Sequence, residues 1–182
     1  MKDGRLQNTT KTLCYAAVAV ALLSVCSWIS IPIGALPITL QSLALFTIVG
    51  LLGAKRTFFA VLAYLLLGLI GVPVFAGFTG GMGKLFTPAG GYLVSFLIVA
   101  PFTAFACEKV RGGLWKNTVI MAIGMLVCYL IATIWLLVLS SIQNAPIGFI
   151  GAVSLLILPY APFDLVKVFF AAYLTEKLKN KI

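Results

Sequence analysis

Apolar residues along this chain gather in long blocks, without the short alternating segments of roughly ten residues that mark a membrane β-barrel. The blocks fall at residues 13–31, 39–53, 57–72, 90–107, 117–140 and 162–178. A bilayer core takes roughly 20 predominantly apolar residues per helix, so the pattern predicts six spans. The second and third blocks are short, and their flanks are expected to join the helices. A further apolar piece, 147–158, is too short to span and is bounded by Pro146 and Pro159. Proline breaks a helix from within, so this piece is expected to be re-entrant or to lie on a surface.

Composition turns the pattern into a fold class. The 182 residues are 62% hydrophobic and 9% charged, with a mean hydropathy of +1.15. Soluble domains carry about a quarter charged residues, so too little polar surface exists here to cover a water-soluble globule. The expected fold is an all-α polytopic membrane protein, with residues 1–182 forming a single transmembrane domain.

Charge placement gives an independent check, because lysine and arginine concentrate in cytoplasmic loops. With six spans, one side receives Lys2, Arg5 and Lys11, then Lys55 and Arg56, then Lys109, Arg111 and Lys116, and finally Lys177, Lys179 and Lys181. That is eleven of thirteen basic residues. Both termini are therefore expected in the cytoplasm of a multi-pass protein of the cell membrane, and the net charge of +9 is a topology signal. Nucleic-acid binding would need a basic patch on one folded face, whereas these charges are split among four short segments; no nucleic-acid partner is expected.

The first apolar block is longer than the usual 7–15-residue signal-peptide core and no small-residue cleavage site follows it, so it reads as a retained helix. The four cysteines (Cys14, Cys26, Cys107 and Cys128) are scattered through the spans with no paired spacing. They support neither a metal site nor a disulfide framework.

Against this background one pair of charges stands out. In PYAPFDLVK, Asp164 and Lys167 are three residues apart at the start of the last apolar block, a spacing that puts them on one helix face. Ionisable groups at membrane depth are costly and normally point into a bundle or cavity. The plainer alternative is that Asp164 caps a helix N-terminus while Lys167 neutralises it or snorkels. As a site, the pair combines acceptors with donors and suits a small polar ligand carrying urea- or amide-like groups.

Three irregular pieces fall on the same non-cytoplasmic side: Ile31–Gln41, the glycine-rich GVPVFAGFTGGMGKLFTPAGGYL of Gly71–Leu93, and Gln143–Pro162. Seven of the seventeen glycines lie in the second of them. Irregular backbone at membrane depth is tolerated where it lines a cavity or is buried in protein. Thr39, Gln41, Thr79, Lys84, Thr87 and Tyr92 supply polar groups there; tight outer loops are the alternative use of the same residues. Other chemistries drop out. GGMGKLFT has Phe78 where a phosphate loop wants its first glycine, and Leu85 in place of its serine or threonine. The chain has no histidine, so a Ser-His or Cys-His nucleophile is impossible. No close pair of carboxylates is present either, and neither an enzyme nor a resident cofactor is expected.

Three motifs in order, LPITLQSL (Leu36–Leu43), GVPVFAGFTGGMGKLFTPAGGYL and the P-x-D-L-V-K of Pro162–Lys167, resemble the BioY family, the biotin-binding S-components of energy-coupling-factor (ECF) transporters. The resemblance runs from roughly Thr12 to Lys177. It implies a six-helix S-component fold, biotin held near the external surface as transported substrate, and coupling to a transmembrane T-component and two ATPase subunits. Carried over by motif, it makes Asp164 and Lys167 ligands of the ureido ring or the polar tail. It also makes Thr39 and Gln41 part of a loop over the site, and Gly80, Gly81 and Tyr92 binding residues. Trp and Phe side chains would cover the bicyclic ring and valeryl chain. Ala17 and Ala21 fit the small-x-x-x-small spacing with which the first helix would meet the T-component, although ordinary small residues in a span would look the same. Departures are Phe78 for a frequent glycine, TPAGG for GPTGG, and Phe163 for the glycine before the aspartate; these bear on pocket shape. Lys84 has no firm counterpart, and is kept as a candidate for the biotin carboxylate or as loop decoration. An S-component for another small vitamin is the alternative reading, followed by a small membrane enzyme or a scaffold.

Overall fold

The computed structural model describes residues 2–33, 36–110 and 112–179, with side chains from residue 10 onward. Arg111, Lys181 and the side chains of Lys2, Asp3 and Arg5 lie outside the described residues, as do Gly34 and Ala35 of the Ile31–Gln41 loop. In chain order the elements are α1 (Lys2–Trp28), a hairpin of β1 (Ser30–Ile33) and β2 (Leu36–Thr39), and α2 (Gln41–Leu69). A 3-10 turn (Met82–Phe86), α3 (Pro88–Val110), α4 (Leu114–Ile142), the short α5 (Phe149–Leu156) and α6 (Ala161–Lys179) follow.

The first apolar block does not stay helical to residue 31. It ends at Trp28, because Ser30–Ile33 pairs antiparallel with Leu36–Thr39, Ser30 opposite Thr39 and Ile33 opposite Leu36. Thr39, placed by the sequence pattern at the start of the second span, is the last residue of β2. Pro32 and Pro37 face each other in this ribbon, which is tolerable because each strand of a two-stranded ribbon is an edge.

The second and third blocks form one element with a sharp reversal inside it. Gly53 sits at φ 75°, ψ 168°, a left-handed, extended conformation open to glycine and costly to other residues. The reversal shows in a side-chain contact: Gln41 Nε2 donates to Tyr64 Oη at 2.9 Å. A continuous helix rising 1.5 Å per residue would hold these residues about 34 Å apart. The arms 41–52 and 54–69 therefore run back along each other.

The chain thus passes up and down between two ends. At one end Glu108 Oε2 accepts from the N–H of Ala54 just after the reversal, and the Arg56 guanidinium lies 4.9 Å over the Tyr15 ring. The α3–α4 connection and the end of α6 are at this end too. At the other end the β1–β2 hairpin, the glycine-rich segment, α5 and the first turn of α6 converge. Among the described residues, four helices are individually long and apolar enough to cross a membrane. The pair α5 and α6, bent by 51° at the break between them, makes a fifth. With the two arms of α2 taken separately, the fold is a six-helix membrane bundle.

Its outer surface is apolar. On α4, Ile123, Leu126, Leu130, Ile134 and Val138 form an exposed stripe at three- and four-residue spacing, the surface that lipid, and not water, would solvate. Inside, contact relies on small residues, as expected where helices pack without a hydrophobic driving force between them. A Cβ on Gly91 of α3 would lie 2.7 Å from Trp135 Cβ and 2.8 Å from Ala132 Cα of α4, so the two backbones touch there.

Candidate ligand-binding site

Between the β1–β2 hairpin and the helices lies a cavity that, with its open mouth, encloses about 770 Å³. Leu36 and Ile38 of β2, Phe75 of the glycine-rich segment, Leu93 and Phe96 of α3 and Met125 of α4 give it apolar walls. The polar groups are few, and they converge from five places: Thr39 and Gln41 with Ser42, Thr79 with Lys84, Tyr92, Tyr160, and Asp164 with Lys167.

Asp164 is the centre of the polar end. The first turn of α6 carries it inward, with its N–H bonded to the Tyr160 carbonyl at 2.9 Å. Its Oδ1 accepts from Ser42 Oγ and from Lys167 Nζ, both at 2.9 Å, and its Oδ2 accepts from Tyr129 Oη at 2.7 Å. The ion pair is well sheltered, with side chains 9% (Asp164) and 13% (Lys167) exposed. An ionised carboxylate offers about four acceptor positions; three are taken, leaving one on Oδ2. Lys167 has three donors, one of them committed to Asp164. The site therefore presents an acceptor and donors side by side, the complement of an adjacent N–H and C=O.

The surrounding wall is fastened by long-range bonds. Tyr160 Oη accepts from the Leu36 N–H at 3.0 Å and lies 2.7 Å from Leu36 O and 2.9 Å from Ile33 O; its one proton serves either carbonyl. This ties β1–β2 to the break before α6. Tyr92 Oη donates to Leu156 O at 2.8 Å, tying α3 to α5. Gln41 donates to Tyr64, whose hydroxyl donates in turn to Val74 O at 3.0 Å. Ser27 Oγ reaches the same carbonyl at 2.5 Å.

Six of the eight candidate ligand residues, Thr39, Gln41, Lys84, Tyr92, Asp164 and Lys167, line this one cavity. Gly80 and Gly81 do not. Gly80 packs against the backbone of Gly71 and Val72, and the Gly81 N–H donates to Gly68 O at 2.7 Å. Their small size serves the closure of the loop onto the end of α2, one layer behind the wall. The expected tryptophan cover is also absent among the described residues. Trp28 stacks on Phe78 with centroids 4.9 Å apart and donates to Pro73 O at 2.7 Å; Trp135 donates to Leu85 O; Trp115 is exposed. Phe75, Phe96, Tyr92 and Tyr160 supply the aromatic surface instead.

Sequence reasoning missed Ser42, Tyr129 and Tyr160. Ser42 directly follows Gln41 within LPITLQSL, and Tyr160 precedes Asp164 by one helical turn, so position alone could have suggested both. Tyr129 lies mid-helix among apolar neighbours and carries no local signal.

The model of the BioY family matches residues 1–182. The chain belongs to the BioY family. It is 37% identical to a probable biotin transporter BioY of Pyrococcus horikoshii, over 93% of this chain and 97% of that one. It is also 40% identical to the biotin transporter BioY2 of Lactococcus lactis subsp. cremoris, over 72% of each. Its fold is similar to the crystal structure of the S-component for biotin from an ECF-type ABC transporter, with a TM-score of 0.84, 28% identity, and coverage of 96% of this chain and 93% of that one. The bundle described above is thus the S-component fold. All three BioY-like motifs border the cavity: LPITLQSL forms β2 and the first turn of α2, the glycine-rich motif forms one wall, and P-x-D-L-V-K opens α6. Ala17 and Ala21 lie away from it, exposed on the outer side of α1, while Ala19 and Leu23 of the same helix are buried.

Proposed function

We propose that this chain takes biotin into the cell as the substrate-binding S-component of an ECF-type transporter, and that the cavity under the β1–β2 hairpin is where biotin binds. The observation that carries the reading is the Asp164–Lys167 pair, an acceptor next to donors at the end of an otherwise apolar cavity. Biotin has a cyclic urea, whose N–H and C=O lie side by side, on an apolar bicycle with an aliphatic chain. The open position on Asp164 Oδ2 accepts one ureido N–H, and Lys167 Nζ donates to the ureido oxygen. Phe75, Phe96 and Met125 pack on the apolar rings. In a cavity shielded from water, a ligand lacking such groups leaves the pair unsatisfied, which is costly, and that cost gives selectivity.

Thr39, Gln41 and Tyr92 complete the binding wall. The basic end of the bundle faces the cytoplasm, by the rule that loop lysines and arginines stay inside, so both termini are cytoplasmic and the cavity faces outward. The sequence carries no phosphate-binding loop, and the energy for transport comes from a T-component and two ATPase subunits coupled to this chain. The exposed small-residue face of α1 around Ala17 and Ala21, where close helix approach is possible, is the docking surface for the T-component.

Calorimetric titration of the purified protein in detergent tests the ligand. Biotin is expected to give saturable heat and thiamine or riboflavin none. Saturation by another vitamin without a response to biotin would overturn the substrate while leaving the fold untouched.

A further inference from the structure

The charges around the cavity do not cancel. Asp164 and Lys167 neutralise each other, and Lys84 adds a further positive charge to the lining. Among the described residues Lys84 pairs with no carboxylate; the one ion pair is Asp164–Lys167. Glu108 lies at the opposite end of the bundle, against Ala54, and Glu176 lies near Gly113 at that same end. An ammonium that is partly buried beside apolar walls is left without its counter-charge.

The backbone that carries Lys84 is fastened. The Lys84 N–H donates to Gly81 O at 3.1 Å, and the Lys84 carbonyl accepts from both the Thr87 N–H at 3.3 Å and Thr87 Oγ1 at 2.7 Å. The next carbonyl, that of Leu85, accepts from Trp135 Nε1 at 3.0 Å. Gly90 packs so tightly on the Leu85 backbone that a Cβ could not fit. A surface lysine on a loose loop would be solvated. This one is held over the cavity by a turn bonded on both sides.

We infer that Lys84 is the counter-ion of the ligand's carboxylate, so that the site reads two features of a monoanion: a neutral urea at the Asp164–Lys167 pair and one negative charge at Lys84. This rests on the proposed ligand, and it gives the cavity a second, separable source of selectivity. Charge-assisted hydrogen bonds are roughly twice as strong as neutral ones, so loss of this contact is expected to weaken biotin by about ten- to a hundredfold.

The test compares biotin with biotinamide, whose carboxylate is replaced by an uncharged amide, by calorimetry on the wild type, Lys84→Met and Lys84→Arg. The wild type is expected to prefer biotin by about tenfold or more. Lys84→Met should lose that preference while binding biotinamide as the wild type does, which also shows that the variant is folded; Lys84→Arg should retain most of the preference. If Lys84→Met keeps the wild-type ratio, Lys84 only decorates the rim and the assignment is overturned. Loss of both ligands in Lys84→Met would make it a structural residue, which also overturns the assignment. Binding of neither ligand by the wild type would overturn the biotin reading itself, and this inference with it.

Discussion

Tyr129, in the middle of α4, donates its hydroxyl proton to Oδ2 of Asp164 on α6 across 2.7 Å. Together with Ser42 Oγ on Oδ1, this bond fixes the plane of the carboxylate, and with it the direction of the one acceptor position left for a ligand. A hydrogen bond to a charged group contributes about 1.5–3 kcal/mol. Tyr129→Phe is therefore expected to weaken biotin binding about tenfold with the bundle still folded, read by calorimetry on protein that elutes as the wild type does in gel filtration. Unchanged affinity would mean that Ser42 and Lys167 orient Asp164 without help.

The Asp164–Lys167 pair makes a different prediction, because removing one partner of a sheltered ion pair costs more than removing both. A stranded charge typically costs about 3–5 kcal/mol, whereas an apolar replacement of both partners is often neutral. Asp164→Ala should abolish biotin binding and lower the thermal midpoint in detergent. Adding Lys167→Met to it should recover the midpoint and leave binding lost. If affinity survives in Asp164→Ala, the aspartate only caps α6.

Much of this site could be read in the sequence, and the reason is the solvent. In an apolar chain at membrane depth, an i, i+3 ion pair in PYAPFDLVK is a candidate for a cavity, while capping and snorkelling would use the same two residues. The motif order pointed to the family, and Pro159 falls in the break between α5 and α6. What could not be read depends on which backbones come into contact. Tyr129 reaches Asp164 only because α4 and α6 pack together, and Gly80 and Gly81 leave the wall only because the loop closes onto Gly68. Ser30–Ile33 and Leu36–Thr39 form a ribbon and not irregular loop because the two four-residue stretches satisfy each other's backbone groups, and IPIGALPIT shows that only weakly through its prolines.

The placement of the tryptophans sets which of them can report ligand. Trp28 joins the start of the hairpin to the glycine-rich wall through Phe78 and Pro73, and Trp135 holds the turn that carries Lys84. Trp115 is on the first turn of α4, at the other end of the bundle. A fluorescence change on adding biotin is expected to persist in Trp115→Phe and to shrink in Trp28→Phe. The reverse pattern would place the ligand-linked change at the end of the bundle that carries Trp115.

Gly53 allows a prediction about the fold alone. Its φ of 75° and ψ of 168° lie in an extended, positive-φ region in which a side chain costs about 1–3 kcal/mol, and a Cβ there would meet the Glu108 carboxylate, which accepts the Ala54 N–H. Gly53→Ala therefore adds backbone strain and displaces the group that holds the start of the second arm. The reversal aligns the two arms of α2, and their alignment lets Gln41 reach Tyr64 some 23 residues away. The expected result is a lower thermal midpoint, with biotin affinity reduced only as far as Gln41 is displaced. Tyr64→Phe, which breaks the Gln41 contact and leaves the reversal intact, separates the two effects. If Gly53→Ala melts as the wild type does, the reversal is held by the packing of the arms against α3, and glycine is not required at its corner.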